Sequence, residues 1–200
     1  MAEAKLSKLE ALRPEDWVQR LKLDAAARRL LEDRITVEAY VRRLAEAGQR
    51  LPAVTMLAYA LPKREAVWWA CTAARHTSAL FGPEATARPA IEAAEGWVRQ
   101  PIEATRRLAE RAAKRTGTGS PAGLAALAAF WSGGSLAPAN VPAVPPPDLL
   151  SGKAVLGAVK LAAMQRSSLP TEMRLEGFLD MALDIATGGN GRSIRLGAPD

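Results

Sequence analysis

Proline stands at the head of one helix-forming run after another, and this most narrows what the 200-residue chain can fold into. A first-turn N–H has no intrahelical partner, so proline is tolerated at a helix start and disruptive further in, while glycine favours the residue just past a helix end. Pro14, Pro52, Pro62, Pro83, Pro101 and Pro121 each precede such a run, and Gly48, Gly82 and Gly117 lie where runs should stop. Composition agrees. Apolar residues make up 48% and aromatics only 5%, which favours closely packed helices over a sheet sandwich. The fold class expected is all-α, a compact array of short α-hairpins, either HEAT-like or an orthogonal bundle. Helix starts at Pro62, Pro83, Pro101 and Pro121 fall about twenty residues apart, the step of stacked helix pairs, although the residues themselves do not repeat.

Individual helices follow from caps and periodicity. Thr36 is placed to cap a helix in which Val37, Tyr40, Val41 and Leu44 form the inner face and Gly48 ends the run. The nearly all-apolar Pro52 to Ala60 segment reads as a helix buried on most sides. Pro62 to His76 follows, expected at the centre of the core. Pro89 falls inside Pro83 to Arg99 and is expected to restart that helix. After Pro101, Ile102, Thr105, Leu108 and Ala112 are expected inside, with Glu103 to Arg107 and Glu110 to Lys114 as i,i+4 pairs outside. Ser120 should cap the apolar run ended by Gly133 and Gly134. Residues 135–148 hold five prolines and can form neither helix nor ladder, so they read as an extended connector. Two further helices are expected over Ser151 to Gln165 and Thr171 to Ala186, the second packing Met173, Phe178, Met181, Ala182 and Ile185. This gives a single helical domain over 1–187, with the proline-rich strap 135–148 inside it and a mobile Gly-rich tail over 188–200.

Charge and cysteine usage narrow the setting. The net charge is +6, spread thinly along the chain with no basic block. A single cysteine, Cys71, cannot form an internal disulfide, and the opening MAEAKLSKLEALRPEDW has no signal-like apolar stretch. A cytoplasmic protein without a membrane span is expected.

Trp68, Trp69, Cys71 and His76 form the most distinctive cluster. Adjacent tryptophans on a helix point about 100° apart, so either both fill a wide core or one lines an aromatic groove. Cys71 and His76, five residues apart, point about 140° apart and make a poor nucleophile–base dyad. With one histidine and no zinc-like spacing, no metal, cofactor or catalytic residue is expected. The fragments GTGS at Gly117 to Ser120 and SGK at Ser151 to Lys153 lack the glycine and strand of a phosphate loop and read as turns or helix starts. Phe130 and Trp131, followed at once by the proline strap, either pack with a strap lying back on its own domain or frame a partner site. Arg106, Arg107, Arg111, Lys114 and Arg115 form the densest basic face, diluted by Glu103 and Glu110 and without interleaved aromatics for base stacking.

The stretches PKREAVWWACTAARH, AIEAAEGWVRQPIEATRRLAERA, SPAGLAALAAFWSGGSLAP, VPPPDLLSGKAVLGAV and LDIATGGNGR together resemble an uncharacterised all-helical bacterial family, seen mainly in Proteobacteria, over roughly residues 50–192. The resemblance implies a genomic setting near type VI secretion components such as spike, adaptor or effector genes, and hence a cytosolic accessory role. It brings no catalytic or ligand residue with it.

The expected function is a non-enzymatic helical interaction module, an adaptor or chaperone-like accessory that binds another protein through Trp68, Trp69, Phe130 and Trp131. Two other classes stand beside it. One is a basic domain binding nucleic acid through the Arg106 to Arg115 face; the other is an enzyme whose groups converge only in three dimensions.

Overall fold

A computed structural model describes residues 5–10, 13–81, 87–165 and 169–192, and within them the regular structure is entirely α-helical. The helices are α1 (Pro14–Arg20), α2 (Ala25–Arg29), α3 (Val37–Glu46), α4 (Arg50–Ala60) and α5 (Lys63–Phe81) in the first part of the chain. They are followed by α6 (Ala87–Arg99), α7 (Glu103–Thr116), α8 (Pro121–Phe130), α9 (Leu150–Met164) and α10 (Thr171–Thr187). By its contacts the chain groups into two compact units, one from Met1–Pro62 with Ser167–Asp200 and the other from Lys63–Arg166.

In the first unit α4 packs against α3 and α10. Thr36 caps α3 as expected, its Oγ1 accepting from Ala39 N at 3.1 Å, and Gly48 turns the chain at φ +70°. Every residue from Pro52 to Ala58 is buried, which follows from apolar side chains on all sides of α4. That helix starts two residues before Pro52, which occupies its first turn where no N–H is needed. The short α2 is held by Asp24, whose Oδ1 accepts from Ala27 N at 2.8 Å, and by the buried Tyr40 hydroxyl donating to Ala27 O at 2.8 Å. On α10, Phe178, Met181, Ala182 and Ile185 are buried as expected, but Met173 is exposed: in the first turn it shares no face with that stripe.

The end of α10 is tightly made. Gly188 adopts φ +106° and closes the helix, and the Asp184 carboxylate accepts from Gly191 N at 2.7 Å. Gly191 is buried at φ +68°, where a Cβ would press on Ile185. Gly188 to Arg192, the start of the tail expected to be mobile, therefore form a capped turn; residues 193–200 lie outside the described residues.

The second unit is organised around α8, which is in contact with α5, α6, α7 and α9. Its sequence, PAGLAALAAF, explains this. Small side chains let four neighbours approach closely, and only Leu124 and Leu127 escape full burial. Ser120 Oγ accepts from Gly123 N at 3.1 Å and Pro121 occupies the first helical position, both as expected. Gly123 is obligatory: a Cβ there would lie 1.8 Å from Gly117 O. The neighbours present matching small-residue stripes, such as Ala154, Val155, Ala158, Val159 and Ala162 on α9. Helix α6 begins at Ala87 with Pro89 in its first turn, two residues ahead of the expected restart, and Pro83 lies outside the described residues.

Helix α7 is rotated from its expected orientation. Leu108 is 49% exposed and Ile102 47%, while Arg106, Ala109, Ala112 and Ala113 face inward. Close packing on an alanine-rich α8 favours the alanine stripe over leucine, and Arg106 lies in register with that stripe.

Candidate functional site

The inward Arg106 is the structural key to the region after α8. It is 3% exposed, and four of its five N–H groups have acceptors. Nη1 donates to Phe130 O at 2.7 Å, Nη2 to Ser135 O at 2.9 Å, and Nε and Nη2 donate to the two Glu103 carboxylate oxygens, each at 2.7 Å. The guanidinium also lies 4.8 Å from the centre of the Phe130 ring. Gly134 must be glycine here, since at φ +65° a Cβ would sit 2.8 Å from Arg106 Nε. The carbonyl at a helix end and the first turn of the strap are thus fastened by one buried cation.

Arg107 adds a second fastening. Its Nη2 donates to Ala137 O at 2.6 Å, and Nε and Nη1 donate to Glu103 at 2.7 Å and Glu110 at 2.9 Å. Lys114 completes the row on Glu110 at 2.7 Å, so the expected i,i+4 pairs of α7 both form. Hydrogen bonds from Arg106 and then Arg107 hold the Glu103 carboxyl down at about 2. For Glu110 burial pushes upward, but the hydrogen bonds from Lys114 and Arg107 outweigh it and leave the carboxyl lowered.

Held at its start, the strap then closes on itself. Ser135 Oγ accepts from Ala137 N and from Val144 N, each at 3.0 Å, and Leu136 N donates to Val144 O at 2.8 Å. Between these anchors Val141 N reaches Pro138 O at 3.3 Å, forming a turn at the tip. The result is a compact loop of the Ω type, with adjacent ends and residues 138–145 exposed. Only the start of the strap, residues 135–137, is fastened back on its own unit. Val141 and Val144 are 47% and 51% exposed.

The base is stiffened on its other side by two buried hydroxyls. Ser132 and Ser151 lie 3.3 Å apart, and both donate to Ala128 O, at 2.7 and 3.0 Å. This ties the end of α8 to the first turn of α9. It also gives the SGK fragment its structural role, while Gly117 and Ser120 of GTGS end α7 and cap α8 as the turn reading expects.

The other candidate residues sort by burial. Trp69 is fully buried and Phe130 nearly so, which leaves neither ring to a partner; Trp68 and Trp131 are half-buried. Phe130 is brought against the basic residues Arg106 and Arg107. The basic face is likewise divided. Arg106 and Arg107 are turned to the strap and Lys114 is paired, so Arg111 and Arg115 are the exposed cations of that set without an ion partner among the described residues.

Cys71 is fully buried, and burial, reinforced by the nearby Glu95 carboxylate, pushes its thiol far above the ordinary range, unlike an activated nucleophile. Glu95 is itself buried and held by Arg75 at 2.7 Å. Among the described residues no group of three or more His, Cys, Asp or Glu is placed to hold a metal ion, and no helix is long and apolar enough to cross a membrane. The first unit carries an open cavity of about 980 Å³ bordered by Lys5, Arg13, Arg34, Glu10, Asp33 and Glu38. With Glu15 the border holds three cations and four anions, a mixed lining with no strong excess of either sign.

Sequence reasoning misses the inward Arg106 and the serine pair because each links positions far apart in the chain, and the loop closure because it hangs on one serine hydroxyl and one backbone pair. One signal was available: Arg106 falls in register with Ala109, Ala112 and Ala113 once small residues are counted as the inner face.

A protein-family model described as a family of unknown function (DUF6931) matches residues 40–186. No curated protein and no solved structure matches the chain.

Proposed function

The chain belongs to the DUF6931 family, and we propose that its Lys63–Arg166 unit is a non-enzymatic helical module that presents the Ser135–Val144 loop to a partner protein. The observation that carries this reading is the contrast between the loop's backbone, pinned at its base by Arg106, Arg107 and Ser135, and its exposed Pro138–Pro145 stretch, in which Val141 at the tip and Val144 at the base turn side chains to solvent. Prolines and a closed base reduce the freedom lost on binding, which favours association through a small apolar surface. Half-buried Trp131, next to the pinned Phe130, gives the surface an aromatic neighbour in the chain. The reading extends, on the resemblance in sequence, to an accessory role in a bacterial, type VI-like secretion assembly of the cytoplasm, with a spike, adaptor or effector as partner. Nucleic acid is less well supported, because Arg106 and Arg107 already satisfy protein acceptors and only Arg111 and Arg115 of the basic set are left for phosphates.

The test is an affinity capture of tagged full-length protein from its native bacterium, with and without nuclease, beside the Val141→Asp, Val144→Asp double variant. A nuclease-insensitive secretion component lost in the variant is the expected result. Retention of the same protein by the variant, or loss of every partner on nuclease treatment, contradicts the reading.

A further inference from the structure

The rotation of α7 leaves a face for which the fold has no internal use. Ala104, Leu108, Arg111 and Arg115 follow at i, i+4, i+7 and i+11, one continuous stripe, and all four are exposed. Along a helix such a stripe is about 16 Å long. Its first half is aliphatic, Ala104 and Leu108, with Leu108 49% exposed. The second half holds two arginines without an ion partner among the described residues, whereas Arg106, Arg107 and Lys114 of the same helix are all paired. A leucine turned outward while an arginine is buried inside is the reverse of ordinary burial.

Net charge follows the same division. Residues 63–166 carry 13 Lys and Arg against 7 Asp and Glu, and the remaining residues carry 14 of each, so the entire +6 belongs to the unit that contains α7. A ligand for this stripe must supply negative charge to Arg111 and Arg115 and an apolar group to Leu108. Phosphate backbones supply only the first, and the stripe has no aromatic ring on which a base could stack. A second copy of the chain would bring like charges together.

We propose that the outward face of α7 is the docking surface for an acidic segment of a partner protein, one with an aliphatic side chain that seats on Leu108. This deepens the interaction-module reading and rests on it: the loop supplies a rigid apolar contact, and α7 supplies the sign of the partner. Carboxylates set against Arg111 and Arg115 raise the association rate and make it salt-sensitive.

The experiment places a photo-crosslinking amino acid at Leu108 of the full-length protein in its native bacterium, with the exposed Lys160 of α9 as control position, and identifies the attached segment by mass spectrometry. The expected product is a protein segment of net negative charge, captured from position 108 and not from 160. A synthetic peptide of that segment should bind the purified protein, and Arg111→Glu with Arg115→Glu should weaken it by about tenfold or more at low salt. The double variant should melt at the wild-type temperature. A neutral or basic segment, cross-linked nucleic acid, capture equal to that at Lys160, no capture at all, or a peptide affinity indifferent to the double variant each overturns the proposal. If no cross-link forms from Leu108 while Val141→Asp, Val144→Asp still abolishes protein capture, the α7 face fails and the module reading stands; if no protein partner is found in either experiment, both fail.

Discussion

The two units of this chain manage their charge in opposite ways. The unit built from both ends of the sequence has as many cations as anions and uses polar groups to join distant segments: Arg50 meets Glu176 at 3.2 Å, and Leu6 N donates to Glu38 at 3.1 Å. The Lys63–Arg166 unit packs alanine against alanine around α8, concentrates its polar linkage on Arg106 and Arg107, and leaves an unbalanced positive surface outside. A balanced exterior suits a unit that closes on itself. An unbalanced one, beside a pinned loop and an outward leucine, suits a unit that meets something else.

The comparison can be broken most forcefully in the two cores. Trp69→Ala in one unit and Phe178→Ala in the other should each cost about 3–5 kcal/mol, because both rings are fully buried. Hydrogen exchange should show each loss confined mainly to the amides of its own unit; uniform loss from either variant would mean that the two units unfold as one.

Arg106→Met comes next. It leaves the carbonyls of Phe130 and Ser135 without their donor and should destabilise by about 2–4 kcal/mol in urea unfolding. The same change at exposed Arg111 should stay within about 0.5 kcal/mol. Equal effects would remove the distinction between fastening and surface arginines.

Smaller still is an acid effect at Glu103. Its folded-state carboxyl is depressed to about 2, so its stabilising contribution is complete above the ordinary carboxylate range and is lost as pH falls from about 4.5 through about 2. Because Glu103 is 58% exposed, solvent screening limits that contribution to about 1 kcal/mol or less. Stability measured across that window should fall less steeply in Glu103→Gln than in the wild type.

What could be read from the sequence was mostly local. Thr36 and Ser120 declare their caps, Glu103 with Arg107 and Glu110 with Lys114 declare their pairs, and five prolines declare the strap. Helix α2 escapes because five residues are too few to show a period, and only Asp24 marks it. The rotation of α7 escapes for a different reason. Hydrophobic periodicity favours Leu108 inside, whereas the alanine wall of α8 selects close approach, and an arginine with four acceptors can take the inner place. The break after Pro62 carries no linker composition, since both sides of it are helices, and only tertiary contacts reveal it. For the candidate site, the sequence identified Phe130, Trp131 and the arginines as notable, but not that Arg106 and Arg107 turn away from solvent to hold the strap.

Amide hydrogen exchange over residues 135–147, in the wild type and in Arg106→Met, tests the pinned loop most directly. Leu136 and Val144 N–H, both hydrogen bonded at the loop base, should exchange slowly in the wild type while the tip exchanges fast, and the variant should speed those two amides by at least about tenfold. Fast exchange at Leu136 and Val144 in the wild type, or slow exchange that Arg106→Met leaves unchanged, would contradict a loop held in place by the buried arginine.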